Sequence, residues 1–355
     1  MGRDARSSKE PMGRRARRTS GRATMEAVAR HAGVGTMTVS RFFASPDAVS
    51  AELRQRIDQA VRALDYVPNR IAGGLASARS RAIPVLVPSL ANAVYADIIQ
   101  GVHDALVPTG YQLLLANTGF SLAEEEALIA TFLGWSPHGV ILTGIDHTPA
   151  ARSMLASARI PVVETMELGK RSIDANVGFS HREAGRAMAE RLVARGYRRM
   201  AFAGARMDLD ARAHRRCQGH QEALRRHGLP TDRVCDLSGP TKYDQGAEVV
   251  DWLLRQRPAI DAICCHHDVL AVGVLLECQR RAIAVPGRLA ITGFNGLDIT
   301  AAMTPRVTTV ISPRYRIGQE AGRLLLRRLE GKDGGRRIDV GFEIAERETT
   351  RAVTR

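Results

Sequence analysis

The sequence predicts an α/β protein in which a small N-terminal helical unit precedes a core of two doubly wound parallel sheets. Three observations lead to this fold class. Short amphipathic helices cluster near the N-terminus, and apolar runs then alternate with helix-length segments. The chain of 355 residues, with 45% hydrophobic residues, is also too long for one ordinary domain. We therefore expect at least two separately packed parts.

The positive charge is concentrated at the N-terminal end. The chain carries 51 Lys and Arg against 37 Asp and Glu, a formal net charge of +14. Residues 1–80 hold 15 basic against 7 acidic side chains, a net +8. Such an excess favours contact with a polyanion, and its position assigns that contact to the first 80 residues.

Residues 1–22 form a basic tail that we predict to be disordered. They hold 8 basic and 2 acidic side chains and almost no apolar ones, so they cannot bury enough surface to fold alone. The tail is interpreted either as a solvated leader or as an arm that follows phosphates.

Residues 23–68 are predicted to form three helices. Thr24 is a suitable cap for a helix from Met25 to about His31, and Gly33 suits the left-handed turn after it. Thr36 opens a second helix through Phe43. A third amphipathic helix is indicated by apolar residues at helical spacing: Leu53, Ile57, Ala60, Val61 and Leu64.

The first two helices have the spacing of a helix-turn-helix. Ala29 permits a close helix crossing, Gly33 makes the turn four residues later, and Val39 packs the second helix back onto the first. Phe42 and Phe43 are interpreted as core residues rather than as stacking partners for bases.

Beyond Arg81 the pattern predicts βαβ units with right-handed crossovers. Because so many units follow one another, two doubly wound lobes are expected rather than one wide sheet. Ligands of such sheets bind at the carboxyl ends of the strands, here in a cleft between the lobes. The predicted strands are Ile83–Val87, Tyr111–Ala116, Gly139–Leu142, Pro161–Val163, Met200–Ala203, Ala262–Cys265 and Leu289–Gly293.

The cysteines and the N-terminus predict a cytoplasmic protein. Five cysteines, odd in number and without paired metal spacing, indicate reduced thiols. No signal peptide and no run of 18 apolar residues is present, so neither export nor a membrane partner is expected.

An enzyme, a cofactor and a metal are not expected. The sequence has no P-loop, no GxGxxG after a strand, no HExxH and no GxSxG. The segment Cys264-Cys265-His266-His267-Asp268 suggests a metal, but neighbouring strand residues point to opposite faces and converge poorly on one ion.

Three separated segments resemble the lactose repressor (LacI) family of bacterial regulators. TMEAVARHAGVGTMTVSRFF resembles the family's DNA-binding headpiece, and DYVPNRIAGGLASARSRAIPVLVPSLAN resembles its hinge and first core strand. CCHHDVLAVGVLLECQRRAIAVPGRLAITGFNGLD resembles a strand, helix and strand of its core. The resemblance implies a headpiece at 23–68, a hinge helix and linker at 69–81, and a two-lobed, periplasmic-binding-protein-like effector and dimerisation core at 82–355.

By the same resemblance, the second helix reads operator DNA. Arg41 suits guanine O6 and N7, whereas Met37 suits a thymine methyl; a simple phosphate contact for Arg41 remains an alternative. In the hinge, Leu75 would wedge between central base pairs, and Gly73 and Gly74 fit a helix that orders only on DNA. The implied DNA-binding residues are Thr24, Thr36, Met37, Thr38, Ser40, Arg41, Ser50, Asn69, Arg70, Ala72 and Leu75.

Within the family, four segments are most like those of gluconate operon repressors: VPSLANAVYADIIQG, ILTGIDHTP, IPVVETME and VGFSHREAGRAM. This implies a small sugar-acid effector such as gluconate or its phosphate, with Arg216 binding its oxygens. His267 stands where the family usually has asparagine, and Pro84 in the first core strand is another departure. The implied effector-binding residues are Asn92, Tyr95, Asn117, Glu164, Arg216, His267, Asp268 and Asn295.

The expected function is therefore ligand-responsive repression from palindromic operator DNA. A homodimer is favoured over a tetramer because the chain ends in the polar ERETTRAVTR rather than a leucine-rich helix. Alternatives are the same regulator responding to another sugar or a purine, a nucleoid-coating module, and a sugar-binding transport protein. The transport protein would have an export signal and no basic headpiece.

Overall fold

The computed structural model describes residues 23–67, 81–169, 172–332 and 335–351. The chain divides into two compact units, Met1–Ser80 and Arg81–Arg355. The second unit contains two lobes, so the predicted α/β fold class is confirmed.

The N-terminal unit contains three short helices, α1 (Met25–Ala32), α2 (Thr36–Ala44) and α3 (Ala51–Ala63). Thr24 caps α1 by accepting a hydrogen bond from the Ala27 amide at 3.2 Å, and Ser50 caps α3 in the same way through the Leu53 amide. Each cap satisfies one of the amides that a helix start leaves unpaired. The cap position of α2 is Gly35, which has no side chain that could accept such a hydrogen bond.

The three helices enclose a small apolar core. Ala29 and Val39, the two packing residues of the helix-turn-helix spacing, are both buried. Phe42 and Phe43 are half-buried against the same core, and the Phe43 ring lies 6.0 Å from that of Tyr66. Their placement agrees with a packing role for both rings.

The turn between α1 and α2 is held by Arg56 of the third helix. Gly33 has φ +63°, in the left-handed region, and its Cβ position lies 2.8 Å from Arg56 Nη2. That same nitrogen donates to the carbonyl oxygen of Ala32 at 2.7 Å. A side chain at position 33 would therefore strain the backbone and displace the arginine that covers the end of α1.

Gly33→Ala should destabilise the N-terminal unit by about 1–2 kcal/mol, because a left-handed non-glycine residue costs this much. Amide hydrogen exchange of α1–α3 in the full chain measures the loss. Gly35→Ala is the matched control, since no atom lies within 4 Å of its Cβ position and its φ is −76°. Equal protection in the Gly33 and Gly35 variants would contradict this account of the turn.

The first lobe of the C-terminal unit is a six-stranded sheet with the order β11-β5-β4-β3-β1-β2, and all its pairings are parallel. Its strands are β1 (Ala82–Val87), β2 (Gln112–Asn117), β3 (Val140–Thr143), β4 (Val162–Glu167), β5 (Ala175–Phe179) and β11 (Arg337–Asp339). The helices that cover it are α4 (Ala93–Leu106), α5 (Leu122–Leu133), α6 (Pro149–Ala158) and α12 (Arg314–Leu329).

The second lobe repeats the design with the strand order β12-β10-β9-β8-β6-β7. Its strands are β6 (Met200–Ala205), β7 (Val234–Leu237), β8 (Ala262–Cys265), β9 (Ala290–Asn295), β10 (Thr308–Ile311) and β12 (Glu343–Ala345). Only β12 is antiparallel to its neighbour among these described strands. The helices of this lobe are α7 (His181–Ala194), α8 (Ala211–Arg226), α9 (Gly246–Arg255), α10 (Asp268–Arg280) and α11 (Ile299–Ala302).

The chain passes between the lobes three times: from β5 to α7, from β10 to α12, and from β11 to β12. Aromatic rings pack where these passages meet. The ring of Phe179 stacks on His181 at 4.6 Å, and Phe294 and Phe342 lie 6.2 and 5.8 Å from it. These rings connect residues of both lobes at the passages between them.

Pro84 is accommodated at the start of a ladder. β1 pairs with β2 along its whole length, whereas its pairing with β3 begins at Val85. The missing proline N–H therefore falls where that second ladder has not begun.

All five cysteines are buried free thiols, and burial raises the pKa of each, for example to about 12 for Cys264. No helix in the described ranges is both long and apolar enough to cross a membrane.

His220, on α8, is buried with both ring nitrogens unpaired among the described groups, and burial lowers its pKa from 6.5 to about 4. In this pH range His220 is protonated in the unfolded chain but neutral in the folded chain. The free energy of unfolding therefore decreases as the pH falls from about 6.5 towards 4. His220→Phe should remove this loss, so that its stability relative to wild type rises by about 1–2 kcal/mol between pH 7.5 and pH 5. Urea unfolding at both pH values measures it, with exposed His227→Gln as control. A pH-independent difference for His220→Phe would contradict the burial argument.

Candidate functional site

Helix α2 exposes one apolar and one cationic side chain, Met37 and Arg41, to solvent. Met37 is 77% exposed, Arg41 lies one turn later on the exposed surface, and Val39 between them faces the core. Within the described part of the chain, the Arg41 guanidinium has no hydrogen bond or ion pair. A long cation and a flexible apolar side chain, four residues apart on one helix face, fit the chemistry of base edges in a major groove.

The remaining headpiece residues surround that surface. Thr36 is exposed and Thr38 and Ser40 are half-buried on α2, while Thr24 and Ser50 cap the starts of α1 and α3. Helix starts offer backbone N–H groups to phosphates. Asn69, Arg70, Ala72 and Leu75 of the predicted hinge, and the tail 1–22, lie outside the described residues.

In the C-terminal unit, a cavity of about 800 Å³ lies between the lobes at the carboxyl ends of their strands. This is the position predicted for a ligand of doubly wound sheets. The first lobe contributes Ser89, Asn92 and Phe120, and the second contributes Arg206, Asp210, Lys242, His266 and His267, among others.

Helix α8 begins directly after Asp210, which lines this cavity, and carries three arginines in its first half. Arg212 donates to the Tyr95 hydroxyl at 2.8 Å, and Arg215 binds both oxygens of Asp146 at 2.7 and 2.8 Å. Arg216 is 97% buried, its guanidinium lies 4.5 Å above the Phe294 ring, and its Nη1 donates to His181 Nδ1 at 2.8 Å. Tyr95 and Asp146 belong to the first lobe, so α8 bridges the cleft.

A carboxylate balances part of this charge. Asp210 caps α8 through the Arg212 and Ala213 amides, and one of its oxygens lies 3.6 Å from Arg216 Nη2. Burial alone would raise the Asp210 pKa, but Arg212 and Arg216 more than offset it and hold that pKa far below its usual range. Asp210 is therefore an anion, and the Nε of Arg216 remains unpaired within the described ranges.

Two neutral histidines lie on the cavity wall. Burial, with a smaller effect of the Arg216 charge, lowers the pKa of His266 to about 4. The pKa of His267 falls to about 3 through burial and the neighbouring His266. His267 Nδ1 accepts from the Val269 amide and so caps α10, and its Nε2 lies 3.3 Å from Asn92 Nδ2 across the cleft. His266 keeps one ring nitrogen unpaired among the described atoms.

The cleft and the headpiece match known proteins. Residues 24–69 match the model of bacterial regulatory proteins of the lacI family, and residues 189–350 match a periplasmic binding protein-like domain. "HTH-type transcriptional regulator GntR" of Pseudomonas aeruginosa is 40% identical over 94% of this chain and 97% of its own. The chain belongs to the lacI family of bacterial regulatory proteins.

Other relatives agree with this membership. The GntR regulator of Escherichia coli K12 is 39% identical over 91% of this chain and 97% of its own. A LacI-family regulator of Silicibacter pomeroyi has a solved structure with TM-score 0.85, 35% identity, and coverage of 92% and 98% of the two chains. The structure of regulator GntR from Chromobacterium violaceum gives TM-score 0.72 at 37% identity, with coverage of 76% and 98%. This lacI-family protein is a ligand-responsive, DNA-binding transcriptional regulator.

The predicted effector residues occupy different positions in this fold. Asn92 and His267 line the cavity. Tyr95 and Arg216 are not among its lining residues: the Tyr95 hydroxyl accepts a hydrogen bond from Arg212, and Arg216 donates one to His181. Asp268 is buried and accepts hydrogen bonds from Thr309 Oγ1 at 2.6 Å and from the Leu297 amide at 2.7 Å. Burial raises its pKa to about 7. Asn295 ends β9 with φ +105°.

Glu164 and Asn117 do not line the cavity. Glu164 accepts from the Ile173 amide at 2.7 Å and lies 3.2 Å from His147 Nε2, while Glu125 binds the other nitrogen of that ring. Burial opposes the charge of His147, but the two carboxylates raise its pKa to about 9. The exposed Asn117 accepts from the Gly119 amide in the turn after β2. Both residues have hydrogen-bond partners within the first lobe, and their contact with an effector stays a prediction.

Sequence reasoning missed Glu167 and Arg212. Glu167 ends β4, accepts from the Leu168 amide at 3.0 Å, and lies 3.9 Å from Arg215. Its Oε2, the oxygen nearest Arg215, accepts no hydrogen bond from the described residues, and burial raises the pKa of Glu167. Both residues could have been found from position: one ends a strand of a doubly wound sheet, and the other lies one turn before Arg216 on the same helix.

Proposed function

We propose that the chain is a homodimeric repressor of sugar-acid utilisation genes that gluconate, or a close sugar acid, releases from a palindromic operator. The observation that carries this proposal is the pair of α8 arginines, Arg212 and Arg216, next to Asp210, which lines the interlobe cavity. Arg216 has an unpaired Nε and only one carboxylate within 4 Å in the described structure. A buried guanidinium with unused donors suits a carboxylate ligand better than a neutral sugar.

The relatives support the same ligand class. The curated relatives at 39–40% identity are regulators named GntR, and the sequence segments that resemble gluconate operon repressors lie around β1, β3, β4 and α7. Those segments contain Asn92, which lines the cavity, and Asp146, Glu167 and His181, which contact arginines of α8. The polyol hydroxyls of a sugar acid would then meet the amide and imidazole groups of Asn92, His266 and His267.

Isothermal titration calorimetry of the full-length protein tests the ligand class. We expect gluconate or 6-phosphogluconate to bind, and ribose and a purine base to give no heat. Tight binding of ribose or the purine without binding of gluconate would assign another effector to the same regulator. The two sugar acids differ in one phosphate, so their relative affinities also decide which of them the cleft accepts.

The operator side of the proposal assigns base reading to Thr36, Met37 and Arg41. Contact with phosphates or fixing of register is assigned to Thr24, Ser40, Ser50 and Asn69, and Leu75 is the wedge in the minor groove. Thr38, Arg70 and Ala72 complete the proposed DNA-binding set. One recognition helix reads too few bases to stand out among genomic sites, so a dimer is needed. Binding titrations should show a much lower affinity for a half-site than for the full palindrome. Equal affinities would contradict the dimer.

A further inference from the structure

We infer that His181 is a positioning residue that connects the effector arginine Arg216 to the first lobe, and so links ligand binding to the arrangement of the lobes. The inference rests on the proposed role of Arg216 in binding the ligand. His181 is the first residue of α7, directly after the passage from the first lobe to the second. Its side chain makes one hydrogen bond to Arg216 on α8 and one to the backbone of Met166 on β4.

The two partners of His181 fix the tautomer of its ring. Arg216 Nη1 can only donate, so Nδ1 of His181 at 2.8 Å is the acceptor. The carbonyl oxygen of Met166 can only accept, so Nε2 at 2.8 Å carries the proton. Burial and the charges of Arg216 and Arg212 lower the pKa of His181 far below 6.5, so the ring is neutral. A single neutral tautomer therefore bonds both partners at once.

The contact with Met166 crosses from one lobe to the other. Met166 lies in β4 of the first lobe, while α7 packs on α8 of the second. The backbone of Met166 has φ +74°, a left-handed conformation that strains a non-glycine residue and is often found in switch regions. Gly178 on β5 permits this backbone to come close, since a Cβ there would lie 2.8 Å from the Met166 carbonyl carbon.

The rings around His181 hold it in one place. Its ring packs on those of Phe179 and Phe294, with centroids 4.6 and 5.4 Å away, and the Arg216 guanidinium lies 4.5 Å from the centre of the Phe294 ring. Helices α7 and α8 meet without side chains at Gly185 and Gly219, where any Cβ would overlap the carbonyl of Arg216 or of Arg182. A shift of Arg216 towards a ligand would therefore change its hydrogen bond to His181, because the ring of His181 is packed on two other rings and the backbones of α7 and α8 are in contact.

Two substitutions separate the two bonds of His181. An asparagine oxygen reaches the position of Nδ1 and keeps an acceptor for Arg216, but His181→Asn loses the bond to Met166. A glutamine amide reaches the position of Nε2 and keeps the donor to Met166, but His181→Gln loses the acceptor for Arg216. The pair is matched in size and polarity, so a merely structural role for His181 would affect both variants alike.

The test measures gluconate affinity and operator affinity of the full-length variants. We expect His181→Gln to weaken gluconate binding at least tenfold. His181→Asn should keep gluconate affinity within threefold of wild type, while the factor by which gluconate weakens operator binding falls at least fivefold. The ligand-free operator affinity should change at least threefold in His181→Asn and less than twofold in His181→Gln. Equal losses in both variants, or none in either, would overturn the inference.

Nitrogen NMR of His181 in the wild-type protein gives an independent answer if a variant fails to fold. The expected spectrum shows a protonated Nε2 and an unprotonated Nδ1, whose signal moves when gluconate is added. A protonated Nδ1, or a signal that gluconate leaves unchanged, contradicts the inference. If wild-type protein does not bind gluconate at all, the proposed effector is wrong, and the tautomer and ligand-free operator affinities still decide the role of His181.

Discussion

Arg41→Ala is expected to weaken binding to the palindromic operator by about 2–6 kcal/mol, or about 30-fold to 25,000-fold. A bidentate contact from arginine to guanine contributes about 1–3 kcal/mol of discrimination, and a dimer makes two such contacts. Arg41 is exposed on α2 and has no partner among the described residues, so its removal leaves the headpiece fold intact. Titration of labelled operator DNA measures the effect.

The control separates base reading from general charge. Arg62→Ala removes one exposed cation from α3, where it is paired with Asp58 at 2.7 Å. Loss of such a charge weakens binding to every DNA sequence alike and by a small amount. If Arg41→Ala lowers affinity for random DNA as much as for the operator, Arg41 contacts phosphate and not a base.

Arg216→Lys is expected to weaken gluconate binding tenfold or more and to leave operator binding of the ligand-free protein intact. Lysine keeps the charge but loses the planar pair of donors, and charge-assisted hydrogen bonds contribute roughly 1.5–3 kcal/mol. Calorimetry measures the ligand affinity. Arg226→Lys, on the exposed end of the same helix, is the matched control and should match wild type. Unchanged gluconate affinity in Arg216→Lys would remove Arg216 from the ligand site.

The headpiece could be predicted closely because its signals are local. Thr24, Gly33 and Ser50 mark helix ends within three or four residues of the groups that they bond or turn. The covering role of Arg56 was not predicted, since it joins α3 to a turn 24 residues earlier in the sequence.

Errors in the core follow from strand length. The fourth strand was predicted to end at Val163 but continues to Glu167. Glu164 therefore lies inside the sheet, and Glu167 takes the position at the strand end. Strands β5, β7, β10, β11 and β12 were not predicted because each mixes its apolar residues with polar ones or glycine and so shows little apolar run of its own. Buried short strands are defined by their neighbours as much as by their residues.

Contacts across the cleft could not be predicted from patterns in the sequence. Arg215 and Asp146 are 69 residues apart, and Arg212 and Tyr95 are 117 apart. Nothing local in either segment indicates its partner, because these pairs form only when two separately folded lobes face each other.

The most direct test of ligand-controlled DNA binding is to measure gluconate affinity with and without saturating operator DNA, together with operator affinity with and without gluconate. A ligand that releases DNA must bind the DNA-free form more tightly, and the two affinity ratios must be equal. We expect operator DNA to weaken gluconate binding by the same factor, at least fivefold, by which gluconate weakens operator binding. Gluconate that binds equally well in the presence and absence of operator DNA would contradict the account.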